Sequence, residues 1–456
     1  MMRVAAVLLV AAAACGDDRI VLEQIDAVSG TRIKLDKFIY EDGTRQVDSS
    51  SFYDARLHTR CTPRIWADEV LRCVPVAADA LYTDAACTTA IGVETSLHGA
   101  VVDLDWVTHF IGYDRVEGES MPSRLYRAGD EADAITSYYE RRDGMCIGPL
   151  TAPAEATYYE LAEELASTAM PELSKIEAGT GRLALEMLST LDGMRVPTGL
   201  RDRTLDAPCT ATAHPGGARC EPMDAATPYW FSDSTCTVPV LVIGIDVTVP
   251  TMALLTDADG CARYTSVAGE VTGWVYRRDG DSCVRYPMGM QRALALGDTI
   301  QIPTIERTVD EAGGRRLMEV TLHDPEDPAL RFTGTGLVDR ATRAECRRAL
   351  VGETTRCIPA TTSAAFTLYS NACTVPVDVV QTPARTCTPT AFATRAALDG
   401  AGTTLHAIGN RVTQPLSFGG ADSCVDYTPP PGMVLHDIGP ALPPETFMSA
   451  LKYGER

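Results

Sequence analysis

The stretch VLRCVPVAADALYTDAACT, residues 70–88, reads as strand, turn and strand. Its skeleton returns as ARCEPMDAATPYWFSDSTCT at 218–237 and as TRCIPATTSAAFTLYSNACT at 355–374. Internal repeats are to be recognised before any local reading, because missing them mis-assigns the whole fold. Three classes of cysteine align across the copies. Cys61, Cys209 and Cys346 open the pattern, and Cys73, Cys220 and Cys357 follow, each within Arg-Cys-x-Pro. Cys87, Cys236 and Cys373 come third, each followed by threonine. Seven residues before each opening cysteine stands an aspartate: Asp54, Asp202 and Asp339. Upstream of these lie GTRIKL, TGRLAL and GRRLMEV.

Each copy has a second half, marked by YYERRDGMC (138–146), VYRRDGDSC (275–283) and LSFGGADSC (416–424). The unit is about 140 residues long and each half about 70. Apolar and polar residues alternate in RIKLDKFIY, TGWVYRR and AFTLYS, the period of a half-buried strand. Turn residues recur in EDGT, HPGGA, RRDG and GGAD. One segment, TYYELAEELAS (157–167), has helical spacing and is expected as a helix.

The expected fold class is therefore all-β, in three tandem repeats over residues 29–178, 179–312 and 313–456. A half-unit of four short strands cannot bury a sheet face alone, so neighbours must stack. Six half-units around an axis would make a six-bladed β-propeller. The alternative is three β-sandwich or barrel domains in a row. No long linker separates the units, which favours close packing, whereas blades of ~70 residues exceed the common ~45. The closed propeller is the expectation taken here.

The first two cysteines of each unit bracket a hairpin, as in CTATAHPGGARC, so Cys61–Cys73, Cys209–Cys220 and Cys346–Cys357 are expected to bond. In the first unit only Cys87 and Cys146 remain, and they pair. The later units hold Cys236 with Cys283 and Cys373 with Cys424, plus Cys261 and Cys387. These last two bond to each other or displace a pair within their units. No C-x-x-C and no H-E-x-x-H offers a metal site.

The N-terminus, MMRVAAVLLVAAAACGDD, has a basic Arg3 and an apolar run from Val4 to Ala14, about half of the ~20 residues needed to span a bilayer. Residues 1–14 read as a signal peptide. Small residues before Cys15 resemble the lipobox of bacterial lipoproteins, in which that cysteine is lipidated. Ala12 stands where the motif most often has Leu, and an ordinary cleavage site with Cys15 incidental is the other reading. Residues 15–28 would be the lipidated tether. With Cys15 set aside, fourteen of the fifteen cysteines remain, an even number suited to an exported disulfide framework. The chain is 45% hydrophobic, enough for a core, and its net charge of −21 argues against nucleic acid as a partner.

Little of this is chemistry. Asp54, Asp202 and Asp339 either line a shared axial cation site or bond backbone amides of their own units. The second role is what repeated residues usually serve. DADG (257–260) hints at a calcium loop, but Ala268 occupies the position of its bidentate Glu. The paired arginines of YERRDG and YRRDG sit at hairpin tips. Histidines 58, 98, 109, 214, 323, 406 and 436 share no spacing, and no G-x-S-x-G accompanies them. No cofactor and no metal are expected.

The leader through Cys15, the Arg-Cys-x-Pro runs and the YTDAACT-type runs together resemble a group of predicted bacterial lipoproteins of unknown function with tandem cysteine-stapled β repeats. The resemblance spans nearly the whole mature chain. It implies attachment to a membrane through an N-terminal lipid and transfers no catalytic residues. Gly16, where an inner-membrane retention aspartate is absent, points to the outer membrane, at its periplasmic face or the cell surface. The expected function is a lipid-anchored envelope protein, a non-catalytic binding or structural module for a protein or glycan ligand. The alternative is a secreted-type hydrolase or lyase on a propeller scaffold, with carboxylates in its central channel.

Overall fold

The alternating stretches become strands. In a computed structural model, Ile33–Tyr40, Arg45–Asp54, Thr59–Ile65 and Leu71–Pro75 form an antiparallel meander. The structure describes residues 27–454 except 96–107, 117–118, 154–155, 215–216, 257–260, 280–281, 311–314, 329, 352–353, 361, 372, 384–390, 397–402, 420–423 and 430–432. The meander recurs as Leu183–Ser189, Arg195–Asp202, Ala207–His214 and Gly217–Pro222. It recurs again as Leu317–His323, Arg331–Asp339, Ala344–Val351 and Thr354–Pro359. The registers correspond, with Asp54 opposite Ile33, Asp202 opposite Leu183 and Asp339 opposite Leu317.

A register shift interrupts the first strand pair of every meander, next to Leu35, Glu186 and Glu319. Such bulges change which residues face the core. Ile33 and Leu35 pack with Leu188 and Val196 of the second unit, whereas Phe38 and Tyr40 pack with Leu317 and Leu337 of the third. Leu183 and Leu185 likewise pack with Leu322 and Phe332. Each core is therefore shared by two units, and the start and end of one strand serve different junctions.

After each second half the chain returns as one short strand: Ser174–Ala178, Thr304–Val309 or Ala450–Gly454. These pair with the first strand of the next meander, and the last of them pairs with Ile33–Tyr40. On the other side they meet their own unit's fourth strand, at Arg72↔Glu172, Arg219↔Thr304 and Arg356↔Ser449. The five-stranded and ten-stranded sheets thus join at both ends into one closed ring.

This corrects the propeller expectation. Propeller blades are separate sheets that pack face to face. Here backbone hydrogen bonds run from unit to unit, so the meanders are arcs of one sheet. The second halves form seven-stranded sheets of their own. In the first, a five-stranded barrel closes by parallel pairing of Ala78–Tyr82 with His109–Val116. In the third, Thr362–Ser370 pairs in parallel with Phe392–Ala396. An isolated parallel bridge, Ala226↔Ala253, takes the same place in the second. The barrel alternative thus describes the second halves. The expected helix at 157–167 is also corrected: Ala156–Leu165 is a strand between Ala90–Thr95 and Glu119–Ala132. It fills the place that Gln291–Ile300 and Met433–Ala441 take in the other units, and pairing there overrides local propensity.

Carboxylates at the hairpin tips pin the units together. Asp192 Oδ2 accepts from the Arg32 and Ile33 amides at 2.5 and 2.9 Å. Asp42 Oδ2 accepts from the Leu317 amide at 2.7 Å. Asp327 Oδ2 accepts from the Thr180 and Gly181 amides at 2.6 and 3.2 Å. Burial pushes the Asp192 carboxyl up, but these amides and Thr190 hold it below its ordinary value. The glycine of GTR is required here, since a Cβ on Gly30 would lie 2.2 Å from Asp192 Oδ2.

Disulfides join Cys61 to Cys73, Cys209 to Cys220 and Cys346 to Cys357, with Cα separations of 5.2, 5.1 and 5.3 Å. Cys87–Cys146, Cys236–Cys283 and Cys373–Cys424 staple the third hairpin of each second half to the turn of the first. Cys261 is also disulfide-bonded, and Cys387 lies outside the described residues. The third-class cysteines all have positive φ, at 51°, 52° and 63°. Asp84 caps the first of these turns, and hydrogen bonds led by the Thr89 amide hold its carboxyl down to about 2. Replacing both Cys209 and Cys220 by serine should lower unfolding free energy by about 2–5 kcal/mol. Chemical denaturation of the purified protein reads this, and an unchanged midpoint would show the staple to be dispensable.

Candidate functional site

The repeated aspartates are fully occupied within the fold. Asp54, Asp202 and Asp339 are 0, 0 and 1% exposed. Each is gripped in a bidentate manner by the arginine that opens its meander. Arg32 donates through Nε and Nη2 to Asp54 at 2.8 and 2.6 Å. Arg182 does so to Asp202 at 3.0 and 2.7 Å, and Arg316 to Asp339 at 2.9 and 2.7 Å. The Arg56, Thr204 and Ala341 amides donate to the same carboxylates, each at 2.9 Å. The arginines reach on to the carbonyls of Ala169, Gln301 and Thr446, just before the returning strands. Each clamp ties the first strand, the second strand and the return segment of one unit. The three sites do not converge, and backbone bonding is the role the structure gives these residues.

The units do converge on a cavity of about 680 Å³. The first unit supplies Arg45 and Val47, the second Val196 and Leu200, the third Glu319 and Phe332. Charged groups around it are mostly engaged. Arg307 Nη2 lies 3.4 Å from Glu345. The Arg348 guanidinium sits 4.1 Å from the Phe38 ring centroid and 3.7 Å from Asp48. Beside it is a buried cluster at the seam where the two ends of the ring meet. Lys452 Nζ lies 3.1 Å from Asp36 and 2.8 Å from Asp48, and Arg60 lies 3.3 Å from Asp36. Burial raises the Asp48 carboxyl, but hydrogen bonds from Lys452 and Ser50 bring it below its ordinary value.

Of the other residues singled out by sequence, Cys209 is part of the lining, whereas the paired arginines and the described histidines lie apart from it. The paired arginines serve their own hairpins: Arg142 pairs with Glu140 at 3.1 Å, and Arg278 donates to the Cys236 carbonyl at 3.2 Å. DADG and His98 lie outside the described residues, as does Cys15. No described histidine lines the cavity. His406 contacts the Gly439 carbonyl at 2.9 Å and Thr404 at 3.1 Å, and His436 contacts the Gly409 carbonyl at 3.2 Å. His109 is 2% exposed, with Nδ1 2.9 Å from Thr108 Oγ1 and no partner at Nε2. Among the described residues no group of three His, Cys, Asp or Glu side chains is placed to hold a metal, and no helix is long and apolar enough to cross a membrane. Sequence reasoning missed the cavity, because its walls come from strands hundreds of residues apart.

Three measurements follow from these geometries. Asp202→Ala strands the Arg182 guanidinium against a buried edge and should cost about 3 kcal/mol. Millimolar calcium should leave the melting temperature of the wild-type protein unmoved, and a calcium-dependent rise would return these aspartates to cation binding. Burial first, and Arg127 second, push the His109 imidazole down to about 4. The folded state therefore keeps it neutral while the unfolded chain takes up a proton near pH 6.5. Stability from this group is full above pH 6.5 and declines by roughly 3 kcal/mol as pH falls to 4. A His109→Met variant should show a shallower loss over that interval, and a parallel curve would exclude this origin.

Residues 8–447 match the model of a family of unknown function (DUF7481), and the chain belongs to that family. No curated protein and no solved structure matches it.

Proposed function

We propose that this member of the DUF7481 family is a lipid-anchored cell-envelope protein and a non-catalytic binding module whose ligand enters the cavity shared by the three units. The observation that carries the reading is the lining itself. It sets apolar side chains of three units against charged and hydroxyl groups in a concave space of small-molecule size. A nucleophile would need a base within hydrogen-bond reach. The lining offers hydroxyls from Ser49, Thr198 and Thr210 but no imidazole, and two of its arginines are held by carboxylates. The alternative hydrolase presupposed a propeller channel, which the ring replaces.

The six described disulfides suit an oxidising compartment, in keeping with export behind residues 1–14. Residues 15–28 act as the tether. Its end enters the fold at Val28, whose amide donates to the Arg195 carbonyl at 2.8 Å, and Ala27 borders the cavity. Lipid on Cys15 is tested by fractionation. The wild-type protein should incorporate labelled fatty acid and sediment with membranes, and Cys15→Ala should move to the soluble fraction. An unlabelled wild type together with a membrane-bound variant overturns the anchor.

A further inference from the structure

The three units differ in charge at a position that faces the cavity. Leu35 lies opposite Phe52, Leu185 opposite Leu200, and Glu319 opposite Leu337. Leu35 and Leu185 are completely buried. The third unit therefore carries a carboxylate at the position where the other two bury leucine. Its residues lining the cavity include Val320, Leu322 and Phe332, so the carboxylate sits beside an apolar floor. Glu319 is half-buried, and its side chain makes no hydrogen bond or ion pair among the described residues. A charged group that replaces a core side chain and finds no partner works against stability. Departures of this kind from local consistency are expected at functional sites.

A second wall group is also unengaged. Arg307 is held by Glu345 and Arg348 by Asp48, but Arg45 is exposed and pairs with nothing among the described residues. Arg45 and Glu319 come from different units, and no ion pair joins them. Among the described residues, the cavity thus presents one free cation, one free anion and an apolar floor between walls from three units.

We infer that the cavity binds a zwitterion with an apolar body, its ammonium at Glu319 and its carboxylate at Arg45. That is the chemistry of an apolar amino acid or a short apolar peptide. The inference rests on the reading of this cavity as the ligand site. A guanidinium suits a carboxylate because its donors match both oxygens. A volume of about 680 Å³ falls among small-molecule sites. A sugar fits less well, because the lining holds a single aromatic ring, Phe332, which is 3% exposed, and no Trp or Tyr as a stacking platform.

The test is calorimetric titration of the purified protein with four probes: trileucine, free leucine, maltotriose and dodecanoate. Trileucine or leucine should bind and maltotriose should not, and the tighter of the first two identifies peptide or amino acid as the source. N-acetylation of the bound probe, or Glu319→Leu in the protein, should weaken binding at least tenfold. C-amidation, or Arg45→Met, should do the same. Glu319→Leu installs the residue the other two units carry, so its melting temperature should equal or exceed that of the wild type. Loss of binding by that variant cannot then be ascribed to misfolding. Equal affinity of wild type and Glu319→Leu, or preference for the N-acetylated probe, overturns the inference. Val320→Trp, which fills the floor, separates the two levels. If maltotriose or dodecanoate binds and Val320→Trp abolishes it, the cavity is a site but not for zwitterions. If no probe responds to Val320→Trp, the cavity reading falls as well.

Discussion

The fold depends on three carboxylates that each leave their own unit. Asp192 reaches the first unit, Asp42 the third and Asp327 the second, so the relation is cyclic. The amides they satisfy open the first strand of a meander, where no neighbouring strand supplies an acceptor. A few residues onward the Arg–Asp clamp takes over. Arg32 shows the economy of the arrangement: its amide binds Asp192, while its guanidinium binds Asp54 and the Ala169 carbonyl. One residue thus registers a neighbour's hairpin tip, its own second strand and its own return segment. Because every unit both gives and receives a latch, removing one would open two junctions. The pairing of Ile33–Tyr40 with Ala450–Gly454 brings the first and last strands of the ring side by side.

Threefold repetition solves the folding problem, so the places where it breaks carry most of the information about function. The seam between the third and first units is one. Asp36 and Asp48 are buried there and pair with the partly exposed Lys452, Arg348 and Arg60. Charges taken out of water are costly and are repaid only by good geometry. An apolar seam of the kind built from Leu188 and Val196 would close the ring as well. The charged seam instead holds Arg348 over Phe38 at the cavity wall, and Glu319 lies on the same side. Both departures from symmetry border the cavity, which no single unit could form.

Much of this was legible in the sequence, and its limits have physical causes. Short hairpin staples and turns are local, so the cysteine classes and the threonine after each third-class cysteine announced themselves. The ring did not, because it is closed by short return strands pairing over distances such as Asp36 to Gly454. Six half-units suggested six blades, yet only the second halves are free-standing sheets, and the first halves merge. TYYELAEELAS was misleading since Leu161 and Leu165 have helical spacing, and only pairing with two distant strands makes it extended. The clamp was half visible, in the Gly-x-Arg runs and the three aspartates, but nothing local says that they bond. Glu319 was visible too: GTRIKL, TGRLAL and GRRLMEV align with Leu, Leu and Glu at the third place after Arg. Its meaning needed the cavity.

The cavity is built between units of the closed ring, so the latches and clamps that make the fold also make the proposed site. That coupling would ordinarily confound any attempt to separate stability from binding. Here the two are separable because of how the polar groups are used. Asp54, Asp202, Asp339, Asp42, Asp192 and Asp327 all accept hydrogen bonds from arginines, amides or threonine hydroxyls of the protein, and the fold suffers if any is lost. Arg45 and Glu319 have no such commitments among the described residues, and nothing that holds the ring together runs through them. A side chain that the fold does not need, standing on the wall of a cavity that the fold takes such care to enclose, is available for something outside the chain.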